Sequence, residues 1–306
     1  MTQAGSPLGD PGFVMESRMK LVGTRNTRRF GSFALSVSNL LFVVLVVGLT
    51  SNCHVMRREA ISQQPANLRS SPAAKAEQGF VEKSHTNAHG EPMPFLLFVP
   101  EGYDKTKRYP LVLWLHGGGT RGIDLKLLLA RGNEHGIGYL ARADNQARYP
   151  TFILAPQCPP NKLWGDSESE KPTAEMRMVL EILDKMREDY PVDSRRLYVM
   201  GMSLGGYGTW DIITRRPTTF AAAVPICGGG NTSKASLIAK VPIWAFHGDE
   251  DELVSVSESR RMVAALKKAG GQPRYTEYKG VGHNSWVRAF KEPDFLSWIF
   301  AQRRSQ

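Results

Sequence analysis

The apolar run 197–200 leads directly into Gly201-Met202-Ser203-Leu204-Gly205, and a helical stretch follows. A strand that turns into a helix across G-x-S-x-G leaves its serine on a tight corner with the hydroxyl above the sheet edge. The glycines on either side let neighbouring backbone come close. Ser203 is therefore the candidate nucleophile. The rest of the chain must supply a base, an acid and backbone donors for the charge that develops on a carbonyl oxygen.

The segments around this corner alternate. Residues 95–99 and 111–115 read as strands separated by the turn-rich 100–104, and the second is almost wholly apolar, as expected of a strand covered on both faces. Residues 151–155 form another strand. A helix is predicted over 173–190, where Met176, Val179, Leu180, Leu183 and Met186 fall at helical spacing, Glu175 lies in the first turn and Pro191 ends it. Residues 204–216 form the next helix. Strands at 221–226, 241–246 and 274–278 enclose a helix at 257–269 that turns Met262, Val263 and Leu266 inward, and Pro293 divides two aromatic-rich helices within 284–304. This alternation predicts an α/β fold with a mostly parallel sheet and helices on both faces. Its ligand site lies beyond the carboxyl ends of the strands.

Candidate site residues gather at those ends. The run 111–115 stops at His116-Gly117-Gly118-Gly119, a loop whose backbone can approach a developing oxyanion; Gly118 is one candidate donor, and Leu204, directly after the serine, the other. His283, in Gly280-Val281-Gly282-His283, is the histidine on a loop after the last strand and the candidate base. Asp249, Glu250, Asp251 and Glu252 compete for the acid. Asp251 is preferred because its loop can curl toward His283, whereas Asp249 sits immediately past the strand; Glu250 and Glu252 are expected to be solvated. His116 and His247 precede glycines at strand ends and are expected to orient turns. Trp164, in a polar loop, is a candidate wall of the substrate cleft.

Composition places limits on the rest. The formal net charge is +10, but residues 1–75 hold nine Lys/Arg against three Asp/Glu, a surplus of six that leaves four for the remainder. A nucleic-acid footprint needs basic residues on the folded domain together with a recognition motif, and neither is present, so no nucleic-acid partner is expected. Cys53, Cys158 and Cys227 lack the spacing of a metal site. No metal is expected, and Cys158 and Cys227 are expected as unpaired core thiols rather than a disulfide.

Basic residues precede the apolar segment 33–50, which describes a signal peptide or a signal anchor. Residues 1–53 are accordingly expected to direct export, 54–78 to form a polar linker, and 79–304 to form the folded domain. The product is then periplasmic, secreted or membrane-anchored outside the cytoplasm, with membrane association through 33–50 if that segment is uncleaved.

Several motifs together carry a family resemblance: Leu115-His116-Gly117-Gly118-Gly119, Pro156-Gln157-Cys158-Pro159, Gly201-Met202-Ser203-Leu204-Gly205-Gly206-Tyr207-Gly208, Pro225-Ile226-Cys227-Gly228-Gly229, His247-Gly248-x-x-Asp251 and Gly282-His283-Asn284-Ser285-Trp286. Across roughly 80–304 the chain resembles bacterial exported carboxylesterases of the α/β-hydrolase superfamily, often described as phospholipase/carboxylesterase or predicted peptidase. The order serine, acid, histidine is the order of that superfamily. The resemblance implies an eight-strand-type sheet, no cofactor, and a triad on Ser203, His283 and Asp251. The chain is similar also to polyester depolymerases and feruloyl esterases, so the acyl and alcohol groups stay open. The expected function is cleavage of small-molecule or oligomeric carboxylic esters through an acyl-enzyme. The alternatives are a serine peptidase of small peptides and a non-catalytic hydrolase-fold binding domain.

Overall fold

The computed structural model describes residues 79–130 and 135–305. The expected export segment, 1–53, and the linker, 54–78, lie outside the described residues. Within them, one sheet contains eight strands: β1 (Gly79–Thr86), β2 (Pro92–Val99), β3 (Tyr109–Leu115), β4 (Phe152–Pro156), β5 (Val192–Met202), β6 (Ala222–Ile226), β7 (Trp244–Gly248) and β8 (Arg274–Tyr278). Their spatial order is β1-β2-β4-β3-β5-β6-β7-β8. β2 runs antiparallel to both β1 and β4, and every other neighbouring pair is parallel. This is the mostly parallel α/β sheet that the alternation predicts.

β3 explains why its sequence is an unbroken apolar run. Leu111, Leu113 and Leu115 enter one hydrophobic cluster, whereas Val112 and Trp114 enter the cluster on the opposite face. Successive side chains of a strand point to opposite faces, so a strand covered on both sides has no solvated position. The first cluster receives α4 (Ala174–Asp189), α5 (Leu204–Arg215) and α6 (Ser257–Lys268). The second receives α1 (Lys126–Ala130), α2 (Ile137–Ala141), α7 (Trp286–Ala289) and α8 (Phe295–Ala301); α3 (Ala143–Arg148) follows α2.

Local chemistry sets the helix ends. Thr173 precedes α4 and its hydroxyl accepts from the Met176 N–H at 3.0 Å, satisfying one of the donors that a helix start leaves unpaired. α4 then buries Met176, Val179, Ile182, Leu183 and Met186 on one stripe.

α5 carries a buried ion pair. Arg215 Nε lies 2.7 Å from Asp211 Oδ2, and the two side chains are 9% and 2% exposed. The guanidinium also donates to the carbonyls of Asp166 at 2.9 Å, Glu170 at 3.1 Å and Ser169 at 3.2 Å. One cation from a helix thus fixes the path of the loop before α4. No helix among the described residues is long and apolar enough to cross a membrane.

Candidate active site

Ser203 stands between the last residue of β5 and the first of α5. Its backbone has φ +56° and ψ −118°, a conformation that a residue with a side chain rarely adopts. Its surroundings enforce this strain. The Ser203 N–H donates to the Ile226 carbonyl at 2.9 Å, and the Ser203 carbonyl accepts from the Tyr207 N–H at 3.1 Å. The glycines two residues away are needed for close approach: a Cβ on Gly205 would fall on the Leu115 carbonyl oxygen, and one on Gly201 on the Gly205 carbonyl oxygen. The start of α5 is therefore seated directly on the end of β3.

The structure brings Ser203, His283 and Asp251 together. His283 Nε2 lies 2.8 Å from Ser203 Oγ, and His283 Nδ1 lies 2.8 Å from Asp251 Oδ2. A carboxylate only accepts, so Nδ1 carries the hydrogen and Nε2 is left to accept the serine proton. The Asp251 side chain is fully buried and that of His283 is 18% exposed. Asp251 is charge-compensated by donors: the backbone N–H groups of Leu253 and Val254 reach Oδ1 at 2.9 and 2.8 Å. Asp249 is occupied elsewhere, accepting from the Gly280 N–H at 2.7 Å, while Glu250 and Glu252 are exposed. The loops bearing acid and base are stitched together by Asp249 N–H to the Tyr278 carbonyl and Glu250 N–H to the Val281 carbonyl. Trp286 meets the His283 ring edge-on at 5.4 Å.

The glycine loop after β3 lies against the serine: a Cβ on Gly117 would be 3.6 Å from Ser203 Cβ. The Gly117 carbonyl accepts from His116 Nδ1 at 2.7 Å and from the Thr120 N–H at 3.2 Å. Because the trans peptide is planar, anchoring that carbonyl turns the Gly118 N–H the opposite way. His116 has a defined tautomer, since its Nε2 accepts from the Cys158 N–H at 2.9 Å and leaves the hydrogen on Nδ1. Further bonds tie this loop to the segment after β4. Gln157 Nε2 donates to the carbonyls of Thr120 and Asp124, and the Gly122 N–H to that of Cys158. Arg121 donates to the carbonyls of Gly118 and Lys162.

Trp164 corrects the sequence expectation. It does not wall a cleft: it is fully buried, its indole N–H donates to the His116 carbonyl at 3.0 Å, and its ring meets the His116 ring edge-on at 5.0 Å. A buried indole needs an acceptor, and the one it finds is 48 residues away in sequence. Trp164 and Gln157 therefore brace the glycine loop, a role that short-range sequence patterns could not assign to either. The one local signal was Pro156-Gln157-Cys158-Pro159, a polar residue at the end of a buried strand.

Burial holds the His116 imidazole down at about 4, below its ordinary 6.5, with the Gly117 carbonyl opposing and Arg121 reinforcing the effect. The fold thus refuses a proton that the unfolded chain accepts below pH 6.5. Stability should fall as pH drops from 6.5 to about 4 and change no further from this group below that. The total loss is about 3 kcal/mol. Urea midpoints at pH 7 and pH 4.5 test it: His116→Gln should shorten the acid drop, and an unchanged drop would contradict the assignment.

Cys158 and Cys227 are buried, free thiols. Cys227 Sγ lies within 4.8 Å of the ligand-type atoms of Asp251 and His283. Burial pushes this thiol up to about 12, which keeps it protonated and leaves the serine without a competing nucleophile.

The family model described as Dienelactone hydrolase family matches residues 160–293. Among solved structures, a thermostable esterase is 39% identical, with a TM-score of 0.70, covering 74% of this chain and 63% of that one. The Probable feruloyl esterase C of Aspergillus terreus is 29% identical over 186 residues, 58% of this chain and 62% of that protein. The Bifunctional acetylxylan esterase/xylanase of Neocallimastix patriciarum is 32% identical over 87 residues, 28% of this chain and 13% of that protein. The chain thus spans less than two thirds of the length of each of these three relatives. Strand order, the serine corner and these matches agree on an α/β-hydrolase fold.

Proposed function

We propose that this protein is a serine carboxylic ester hydrolase, with Ser203 as nucleophile, His283 as base and Asp251 as the orienting acid. The carrying observation is the continuous relay from Ser203 Oγ through both nitrogens of His283 to a buried carboxylate, 2.8 Å at each step. In the first half-reaction Oγ attacks the ester carbonyl carbon while Nε2 takes its proton, and the carbonyl electron pair moves onto oxygen. The N–H groups of Gly118 and Leu204 hold that oxyanion. The carbon–alcohol bond then breaks, the alcohol leaves with the proton from Nε2, and an acyl-serine remains. Water repeats the sequence, giving its proton to His283, forming the carboxylic acid and returning the proton to Ser203. Asp251 keeps Nδ1 protonated throughout and stabilises the transient imidazolium.

The esterase names of the relatives support small acyl esters, free or carried on a carbohydrate, as substrates. The apolar stretch 33–50 behind a basic region supports export, followed by cleavage or membrane anchoring. Residues 54–78 serve as the linker to the domain that begins at 79. Incubation of the purified chain with p-nitrophenyl acetate, a peptide anilide and a fluorophosphonate tests the reading. Ester turnover with the label mapped to Ser203 is expected. Turnover of the anilide alone would favour a peptidase. Absence of both turnover and labelling would leave a binding domain and overturn the proposal.

A further inference from the structure

Asp251 has a second imidazole behind it. His247, near the end of β7, places Nε2 3.3 Å from Asp251 Oδ2, and both side chains are fully buried. The same nitrogen lies 3.0 Å from the Val254 carbonyl. Both neighbours only accept, so Nε2 carries the hydrogen and is shared between them. Nδ1 is left to accept, and Ser259 Oγ lies 2.7 Å away. Ser259 has one hydroxyl hydrogen, and once it is given to Nδ1 the 3.1 Å approach of Oγ to the Gly228 carbonyl is a close contact and not a second hydrogen bond. Gly228 in turn packs against Gly206, in the first turn of the helix that begins after Ser203.

The charge state of this imidazole matters. Burial holds His247 below the ordinary imidazole range, with His283 reinforcing and Val254 and Asp251 opposing; Glu277, across the β7–β8 pair, is the other titratable group coupled to it. A neutral donor steadies the carboxylate without neutralising it. A cation in this position would compete with the His283 imidazolium for Asp251. An apolar residue would remove one of the groups that fix the carboxylate plane.

We propose that His247 is a positioning residue: through Nε2 it fixes the Asp251 carboxylate toward His283, while the Ser259 hydroxyl on Nδ1 holds the His247 ring in the tautomer and orientation that this requires. The proposal rests on the Ser203–His283–Asp251 reading above. Steady-state kinetics of the full chain test it, using His247→Phe, His247→Gln, Ser259→Ala, Asp251→Asn and the Asp251→Asn/His247→Phe double variant. His247→Phe should lower kcat about ten- to a hundredfold, the size found when a residue that orients an active-site ligand is lost. KM should stay within about twofold, because substrate binding is untouched. Glutamine, whose amide nitrogen can stand near the place of Nε2, should recover most of the loss. In the Asp251→Asn background His247→Phe should cost nothing more, since the group it positions has changed.

Wild-type kcat in His247→Phe, or the same additional loss in the Asp251→Asn background, would overturn the proposal. If the phenylalanine variant does not fold, Ser259→Ala decides: a kcat reduced about three- to tenfold supports the Ser259–His247–Asp251 link, and an unchanged kcat overturns it. Ester turnover surviving in Ser203→Ala would instead sink the triad reading itself, whatever His247 does.

Discussion

Ser203→Ala is expected to keep its unfolding free energy within about 1 kcal/mol of the wild type and to lose ester turnover by about 10⁴- to 10⁶-fold. The first half follows from the backbone. Alanine keeps the Cβ and occupies the same strained corner, held by the bonds to Ile226 and Tyr207, which involve main-chain atoms only. The second half follows from the relay. Without Oγ, His283 has no alcohol to deprotonate, and what remains is binding and the oxyanion donors. Urea denaturation followed by circular dichroism and initial rates on p-nitrophenyl acetate measure the two halves separately. A variant that keeps a tenth of the wild-type rate would remove Ser203 from the mechanism.

Gly205→Ala is the second large effect, and it acts on stability. The added methyl would overlap the Leu115 carbonyl oxygen and lie 2.9 Å from that of His116, both main-chain atoms of the central strand or its end. β3 is hydrogen-bonded on both sides, to β4 and β5, so it cannot retreat. α5 must move instead, carrying the serine corner with it. A loss of about 4 kcal/mol or more is expected, a drop in Tm of about 8–16 °C for a domain of this size. Gly119→Ala is the control, since a Cβ there meets nothing within 4 Å. If the two variants melt together, the close packing of helix on strand is not what the glycine serves.

The sequence made the sheet legible where strands are buried on both faces and the helices legible where apolar spacing is regular. It was least informative at edges. β1 was not expected as a strand because an edge strand half covered on one face alternates too weakly to stand out. β5 begins at Val192 rather than near 197, since Tyr109 pairs with Val192 before the register jumps to Leu111 opposite Leu197. β7 starts at Trp244 rather than 241: Pro242 has no N–H to donate, and Ile243 pairs with Ala223 only through an isolated bridge. At the site, residues whose partners lie just past neighbouring strand ends were legible, and Asp251 and His283 are of that kind. Trp164 was not, because nothing in its own loop reveals that its acceptor is the carbonyl of His116.

The loop before α4 has one further property. Arg215 grips it through carbonyl oxygens, which every amino acid offers alike. The side chain of Ser167 can therefore be exchanged without altering the course of the main chain, provided that Arg215 is kept together with Asn231 and Lys234, which also donate to the Ser167 carbonyl. Diversity in this stretch is uncoupled from its shape, which lets a surface drift in sequence over a frame that does not.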